Sequence, residues 1–521
     1  MTVNQRQYGV FYRVSISIIC GIFYALSFPP FNLWFLIFPS LFFFYKILLQ
    51  NNPPFLLGFL FATVAYGIVL YGIKSIGYEA WIPLIFFMGL MYGTFGKLFQ
   101  YASIKMDNNI FILISIIGAF DLLRAHFPFG GFPWGYPSTV LMSGLTKNFF
   151  RYFGPIGFSL IIQSLVLLGV LFVIDKKTRE RTGMFNLKYY LVFFLIIVFQ
   201  FLWSINNEDS DFQEMSKGDI EVSIVQGNSP CPGAKNRCNN ERQIIYESHL
   251  NLTKSISTKS IYTPDTNPRL IVWAESSSGF SNDPRINDRT LEEISIEANR
   301  LQASFLVGGD RPIDSNNFEN YGIFIDENGE ITGEYLKQHP VPFGEYIPFR
   351  RYLDWIPPLS LVPRDMIRGD GQEIFSVGES GIKISSVISF EGSFERYIRR
   401  SVQDGAELIV ILTNQASYGE SGMSDQFILM SRANAVSNHR DIVHAAITGK
   451  SAFISGIDGK VYSSTELFEA DISTELLTGY KAETPYSRYG NYLNYLAILF
   501  GTILFLYFRF VERETLNSSS L

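Results

Sequence analysis

Cysteine is scarce. Three thiols in 521 residues, Cys20, Cys231 and Cys238, cannot build a disulfide framework or a four-ligand zinc site, so no metal site is expected. Cys231 and Cys238 close the short loop CPGAKNRC, either as a disulfide in an oxidising compartment or as two free surface thiols. A basic excess is also missing: 42 basic against 48 acidic residues give a net charge of −6, and nothing points to a nucleic-acid partner. The apolar stretches hold few ionisable residues, chiefly Lys97 and Asp121, and show no inverted repeat, so the usual marks of a transporter are absent. No small-residue cleavage site follows the first apolar run, which therefore reads as a membrane helix and not as a cleaved signal.

What is present is hydrophobic: 47% of residues are apolar and 16% aromatic, with a mean hydropathy of +0.15. That is too apolar for a purely soluble protein and too long for one domain. Seven spans of membrane-crossing length are predicted at about 11–28, 31–49, 54–73, 81–104, 108–124, 152–174 and 187–204, and an eighth at 490–508. The chain divides into a membrane domain at 1–205, a polar domain at 206–488, and a last helix with its tail at 489–521. The segment DKKTRERTGMFNLK holds Lys176, Lys177, Arg179, Arg181 and Lys188, which places it in the cytoplasm. Counting crossings from it, the polar domain is outside the cytoplasm.

The joint LLRAHFPFGGFPWGYPSTV, between the fifth and sixth spans, reads as a loop at the membrane interface, either a plain linker or a part of substrate entry. Its Arg124 either binds a lipid phosphate or caps a helix end. The polar domain carries β-type runs at 220–225, 270–273, 305–307, 322–325, 384–388, 408–412 and 443–447. Helical segments lie between several of them, such as 287–302 with Leu291, Ile294, Ile296 and Leu301 as its apolar positions. Strands alternating with helices predict a layered α/β domain.

Three stretches carry chemistry. ISSVISFEGSF (384–394) puts Ser389 at a strand-to-helix corner, where an exposed nucleophile usually sits. LIVWAESSSGF carries Glu275 at the end of a buried run, either a desolvated base or an ordinary helix-capping or surface carboxylate. EYLKQHPVPFGEYIPFR carries Lys337 and Glu345 around a rigid Pro/Gly turn; a solvated lysine is the plain alternative.

In that order the stretches resemble the nitrilase-like domain of apolipoprotein N-acyltransferases, membrane enzymes that add the third acyl chain to bacterial lipoproteins. The lysine before HPVPFGEYIP and the Ile388-Ser389-Phe390-Glu391 motif carry the likeness, as does the Gly-Phe-Pro-Trp of the interfacial loop. LTNQASYGESG (412–422) resembles the family's substrate-facing loop, with Tyr418 but no Trp, and SRANAVSNHRDIVHAAITGKSAFI resembles the strand and turn after it. The resemblance implies a helical membrane bundle plus a four-layer αββα sandwich. It implies catalytic roles for Glu275, Lys337, Ser389 and Glu345, no cofactor, a phospholipid acyl donor and an apolipoprotein acceptor, and a multi-pass protein of the bacterial inner membrane with the catalytic domain outside the cytoplasm.

One departure matters: the family's nucleophile is a cysteine and here it is Ser389. Serine is the harder nucleophile to activate, and a carboxylate base suits it poorly. Three readings follow: slow turnover on serine, a lipid- or lipoprotein-binding relative without turnover, or a substitution that traps substrate. A nitrilase-type amidase is the alternative within the same chemistry, although eight spans make little sense for a soluble amide.

Overall fold

A computed structural model describes residues 3–50, 53–174, 216–231, 238–262, 267–353, 355–379 and 381–518. The N-terminal third is helical: α1 (Val3–Leu26), α2 (Ile37–Leu48), α3 (Pro54–Val69), α4 (Tyr78–Lys105), α5 (Ile110–His126) and α6 (Lys147–Ile174), with a kink at Gly154-Pro155 in the last. Four described stretches are long and apolar enough to cross a membrane: Gly9–Leu26, Tyr78–Lys105, Lys147–Ile174 and Tyr492–Val511. The spans expected at 31–49 and 54–73 are shorter helices, Trp34–Leu48 and Pro54–Val69. The second stops at Leu70, where the backbone leaves helical geometry and a 3₁₀ turn, Tyr71–Ser75, meets the polar domain. The span expected at 187–204 and the basic segment at 175–188 lie outside the described residues.

Close helix contact replaces bulky interdigitation between α3 and α4. A Cβ on Gly58 would sit 2.1 Å from the carbonyl oxygen of Tyr92, so only glycine lets these backbones approach. Beside that seam, Phe44 stacks on Phe61 with ring centroids 4.0 Å apart.

The polar domain is built from β1 (Ser216–Gln226), α7 (Glu241–Ser255), β2 (Arg269–Gly279), α8 (Asp288–Leu301), β3 (Ser304–Pro312), β4 (Asn317–Ile325), β5 (Ile331–Leu336), β6 (Asp365–Met366), β7 (Ile374–Val377), β8 (Ile382–Ile388), α9 (Glu395–Gln403), β9 (Leu408–Thr413), α10 (Met423–Asn438), β10 (Ile442–Ala446), β11 (Ala452–Ile454), β12 (Val461–Ser464) and β13 (Asp471–Tyr480). Among the described residues these strands form a seven-stranded sheet, ordered β13-β1-β2-β3-β4-β5 with β6 beside β4, and a six-stranded sheet, β12-β11-β10-β9-β8-β7. Val272 and Leu306 from the first sheet meet Ile384 and Val410 from the second in one core. Outside the first sheet, Leu250 of α7 and Ile294 and Ala298 of α8 cover Trp273 and Phe305. Outside the second, Ile398 of α9 and Ala435 of α10 cover Ile409 and Ile411. The result is an αββα sandwich. Short helix α11 (Pro485–Tyr489) then leads into α12 (Tyr492–Ser518).

Two local expectations are corrected. Ile296 is 56% exposed and Glu297 and Ala298 are buried in its place, because at about 100° per residue 294, 298 and 301 share a face that 296 does not. The stretch from Ser431, expected as strand and turn, continues α10 to Asn438 before β10 begins. Cys231 and Cys238 are joined in a disulfide, their Cα atoms 5.9 Å apart.

The sandwich sits on one end of the bundle. Gln426 of α10 donates to the carbonyls of Pro29, after α1, and Val69, at the end of α3, at 3.0 and 2.9 Å, and accepts from the Trp134 indole at 2.6 Å. Arg396 of α9 donates to the carbonyls of Ala125 and Gly130 at 2.7 and 2.8 Å, and Arg151 of α6 to that of Ile457 at 2.8 Å. Gly58→Val is expected to destabilise the bundle by about 1–3 kcal/mol through overpacking. Thermal unfolding in detergent should show a lowered midpoint for Gly58→Val and none for Gly144→Val, since a Cβ on Gly144 meets nothing within 4 Å.

Candidate active site

Glu275 lies within β2, not after it. The β2–β3 register shifts between Trp273 and Ser278, and Ser276 has a left-handed φ of 62°. Such a bulge re-aims a side chain out of the ladder. Gly308 of β3 permits it: a Cβ there would sit 2.5 Å from the Ala274 carbonyl oxygen and 2.9 Å from the Glu275 Cα. One Glu275 oxygen accepts from the Asn320 amide of β4 at 2.7 Å, the other from the Asn414 backbone N–H just past β9, also at 2.7 Å. The first oxygen also lies 3.6 Å from Lys337 Nζ.

Lys337 directly follows β5, and its side chain is wholly buried. Its ammonium donates to Glu345 Oε1 at 2.6 Å, while the other Glu345 oxygen accepts from the Val341 N–H at 2.8 Å and closes the Pro-rich turn. One ammonium therefore stands between two carboxylates. Burial by itself would lower the Lys337 pKa, but Glu345 and then Glu275 outweigh it, and the net shift is upward, so the ammonium stays charged. Burial raises the Glu275 pKa, Lys337 opposes the rise and Glu345 adds to it; the balance is a carboxyl more basic than an ordinary glutamate.

Ser389 stands where β8 ends, with a left-handed φ of 55° that a non-glycine residue adopts only when its surroundings impose it. Those surroundings centre on Glu391, whose fully buried carboxylate accepts from the N–H groups of Ile388 (2.8 Å), Gln338 (2.5 Å) and His339 (2.8 Å) and from the Tyr335 hydroxyl (2.8 Å). It thereby ties the Ser389 corner to the two residues after Lys337. Burial lifts the Glu391 pKa to about 7 against the pull of the Ile388 N–H and Lys337. Among the described residues the Ser389 hydroxyl makes no hydrogen bond, and it is half-buried.

Of the four residues named from sequence, Glu275, Lys337 and Glu345 form one ion cluster, and Ser389 joins them through Glu391. Glu391 itself belongs to the recognised motif, yet the sequence reading gives it no role. Asn320 and Asn414 are missed altogether, because a lone Asn near a strand end carries no signal of a partner tens of residues away. Tyr418, of the expected substrate-facing loop, lies within electrostatic reach of the cluster; burial and then Glu275 push its pKa up to about 12.

Aromatic rings line the approach. Phe390, next to Ser389, packs with Phe132, Trp134 and Phe394, the centroids 6.1, 6.5 and 4.8 Å away. Trp134 is thus buried, not an exposed interfacial anchor. Arg124 is also buried and does neither of the things expected of it. It bonds the Tyr66 hydroxyl and the Trp134 carbonyl, beside Asp121, and so straps the 127–137 loop to the bundle. Downstream of Glu345, Phe349, Tyr352 and Trp355 are exposed to 70%, 70% and 79%, and Phe129 contacts Phe343 and Phe349. No sequence signal beyond their number marks these rings as one rim.

Glu275, Lys337, Glu345 and Ser389 all lie within residues 222–483, which match the family model described as carbon-nitrogen hydrolase, so this part of the chain is a carbon-nitrogen hydrolase domain. The model for the apolipoprotein N-acyltransferase N-terminal domain matches 20–168, and with both in one chain the protein belongs to the apolipoprotein N-acyltransferase family. Named apolipoprotein N-acyltransferases similar to it include that of Aquifex aeolicus, 26% identical over 84% of this chain and 93% of the relative, and that of Haemophilus ducreyi, 22% identical over 93% and 95%. One from Mycolicibacterium smegmatis is 28% identical over 55% of this chain; the chain spans 48% of that relative and 54% of one from Rickettsia prowazekii, about half the length of each. Among solved structures, Nit3 of Saccharomyces cerevisiae, a nitrilase-superfamily member, matches 50% of this chain and 91% of its own at 15% identity and a TM-score of 0.36. The apolar helices make this a membrane protein.

Glu275→Gln keeps the side-chain shape, removes the carboxylate expected to act as base and sets an amide N–H against a donor of Asn320 or Asn414. Acyl transfer should fall by about 10²–10⁴, the usual worth of a general base. Turnover within a few-fold of the parent, on protein that melts normally, would make Glu275 a structural residue only.

Proposed function

We propose that this chain is an integral-membrane N-acyltransferase that moves an acyl chain from a phospholipid to the N-terminal diacylglyceryl-cysteine of an apolipoprotein. The observation that carries this reading is the bond set of Glu391, which holds the Ser389 corner against the Glu275–Lys337–Glu345 cluster. In the first half-reaction Glu275 takes the Ser389 hydroxyl proton as Oγ attacks the phospholipid ester carbonyl. The Lys337 ammonium stabilises the oxyanion. Collapse of the tetrahedral intermediate expels the lysophospholipid oxygen, which takes the proton from Glu275, and leaves an acyl ester on Ser389. In the second half-reaction the amine of the acceptor attacks that ester, Glu275 accepts its proton, and the proton returns to Ser389 Oγ as the amide leaves.

Both substrates are lipids, so the site must lie at a bilayer surface. The exposed rings Phe349, Tyr352 and Trp355 beside the cluster suit an interface, where aromatic side chains partition well. Among the described residues, the segments that touch the sandwich include the ends of α1, α3 and α5 and the beginnings of α6 and α12, the pattern of a bundle crossing the membrane repeatedly. From its kink at Pro155, α6 runs on to Ile174, about 30 Å at 1.5 Å per residue, away from the sandwich. The basic stretch after Ile174 favours the cytoplasm for that side. The polar domain, read as 206–488 between a membrane domain at 1–205 and a last span and tail at 489–521, then faces out from the inner membrane. The Cys231–Cys238 disulfide supports the same side, since disulfides persist in oxidising compartments.

Orientation has a direct test. Reporters inserted at Asp107, in the turn between α4 and α5, and fused after Leu521 should read cytoplasmic, and one at Lys259 should read external. A cytoplasmic reading at Lys259 overturns the orientation.

Chemistry is tested by Ser389→Cys. A thiol at this corner, which Glu391 ties to the two residues after Lys337, should ionise readily and form an acyl thioester. Hydroxylamine-sensitive label from a labelled phospholipid should rise well above parent and Ser389→Ala, and a diacylglyceryl peptide with a free amine should discharge it. Equal background label on all three proteins removes the acyltransferase reading and leaves a lipid-binding relative.

A further inference from the structure

Behind the 389–394 segment, where α5 ends and α12 begins, lies a cavity of about 120 Å³ that contains none of Glu275, Lys337 or Ser389. Arg396, Arg399, His126 and the carboxyl of Glu395 line it, with Tyr489 and Tyr495 at its mouth. Arg396 spends two donors on the Ala125 and Gly130 carbonyls and lies over the Phe394 ring, 4.4 Å from its centroid. Arg399 donates to the carbonyls of Ser487 and Arg488, each at 2.9 Å. These acceptors are neutral, and among the described residues neither guanidinium has a carboxylate oxygen within 4.0 Å. Glu395, the carboxyl nearest to hand, is buried and bonded to the Asn491 amide; burial raises its pKa to about 7, so it neutralises the pair poorly. Two guanidinium groups therefore share a small cavity with one carboxyl, Glu395, to which neither is ion-paired. A guanidinium fork suits phosphate oxygens.

The surroundings tell which phosphate. Tyr489 and Tyr495 are 63% and 56% exposed, and below them α12 presents Leu496, Leu499, Phe500 and Ile503 outward. An apolar helix face under a cationic pocket is the arrangement that takes acyl chains and a headgroup together.

We propose that this cavity holds the phosphodiester headgroup of a resident phospholipid, separate from the acyl-transfer site, with its chains along α12. The assignment rests on the reading of α12 as a membrane span. The lipid clamps the start of α12 to α9 and undergoes no reaction.

The test is native mass spectrometry on the full chain, washed free of lipid in detergent and then offered phosphatidylglycerol, a diacylglycerol with the same chains, or inorganic phosphate. One phosphatidylglycerol should remain bound, the diacylglycerol should not, and millimolar phosphate should not displace the lipid. Arg399→Gln and His126→Glu should each weaken retention roughly tenfold, the loss of one charge-assisted contact. His126 is exposed and its change disturbs none of the arginine bonds, so it decides the matter where Arg399→Gln fails to fold. Equal retention of diacylglycerol, displacement by phosphate, or unchanged retention in a folded His126→Glu protein each overturns the proposal. Acyl label scored in parallel on a Ser389→Cys background separates the two readings. Label that survives His126→Glu while the lipid is lost supports a separate site, and label lost together with the lipid makes the cavity a donor subsite and overturns it. If no label forms at all, the acyltransferase reading falls while lipid retention is still read on its own.

Discussion

The buried ammonium of Lys337 constrains this domain more than any other group. An uncompensated charge in a protein interior costs several kcal/mol, and removing one member of a buried pair typically destabilises by about 3–5 kcal/mol. Glu345 and Glu275 must therefore be in place for Lys337 to be buried at all. Glu345 comes from the same turn, but Glu275 comes from a bulge in β2 and is held by donors from both sheets, Asn320 of β4 and the backbone after β9. The requirement to satisfy one ammonium thus fixes the register of the two sheets at the end where the chemistry would occur. The left-handed backbone at Ser389 belongs to the same constraint, because Glu391 bonds the residues on either side of the site at once.

The second constraint is where the sandwich meets the bundle. Gln426 spends both amide hydrogens on carbonyls from the bundle and accepts from the Trp134 indole, and Trp134 lies against Phe390 beside Ser389. Arg124, held beside Asp121, fixes the Trp134 carbonyl from the other side. A polar cluster inside an apolar bundle is expensive unless its groups find partners. Here it positions the loop that forms one wall of the approach to the site. The helical part is thus more than an anchor: it supplies rings to the cleft.

How much of this was legible in the sequence depended on distance along the chain. Lys337 and Glu345 are eight residues apart across a Pro/Gly turn, and Glu275 ends a run of buried apolar residues, so local pattern located both. The αββα layering followed from strands alternating with helices only once the family resemblance was added. Glu391 shows the limit. Its partners Gln338 and His339 are 53 and 52 residues away, and no spacing rule connects a glutamate to backbone N–H groups that far off. The extents of α2 and α3 were overestimated for a similar reason: hydropathy continues through Phe31 and Tyr71, but the chain bends there to reach the sandwich, a tertiary effect that overrides apolar length. The loop after Arg124 read as interfacial because its Gly, Pro and aromatic residues favour that zone, whereas the fold buries Arg124 and Trp134 together.

The geometry also says why a cysteine fits this site better than the serine it carries. Lys337 spends one N–H on Glu345 at 2.6 Å, and its 3.6 Å separation from Glu275 is no hydrogen bond. An ammonium has three donors, so two remain for a new anion. When Glu275 takes a proton from the nucleophile, negative charge leaves the carboxylate and appears on the nucleophile or the oxyanion, and Lys337 transfers its attention without any change in net charge. Relocation of this kind is cheap for a thiol of pKa about 8.5 facing a carboxyl whose pKa burial has already raised. For a hydroxyl the same base is much too weak to make the alkoxide beforehand, and the proton must move as the bond to the carbonyl forms. On the proposed function, Ser389 would work only with the lipid ester already seated over the corner, and the rings around it, Phe390 and Trp134, would then carry more of the barrier by positioning than they would with a thiolate.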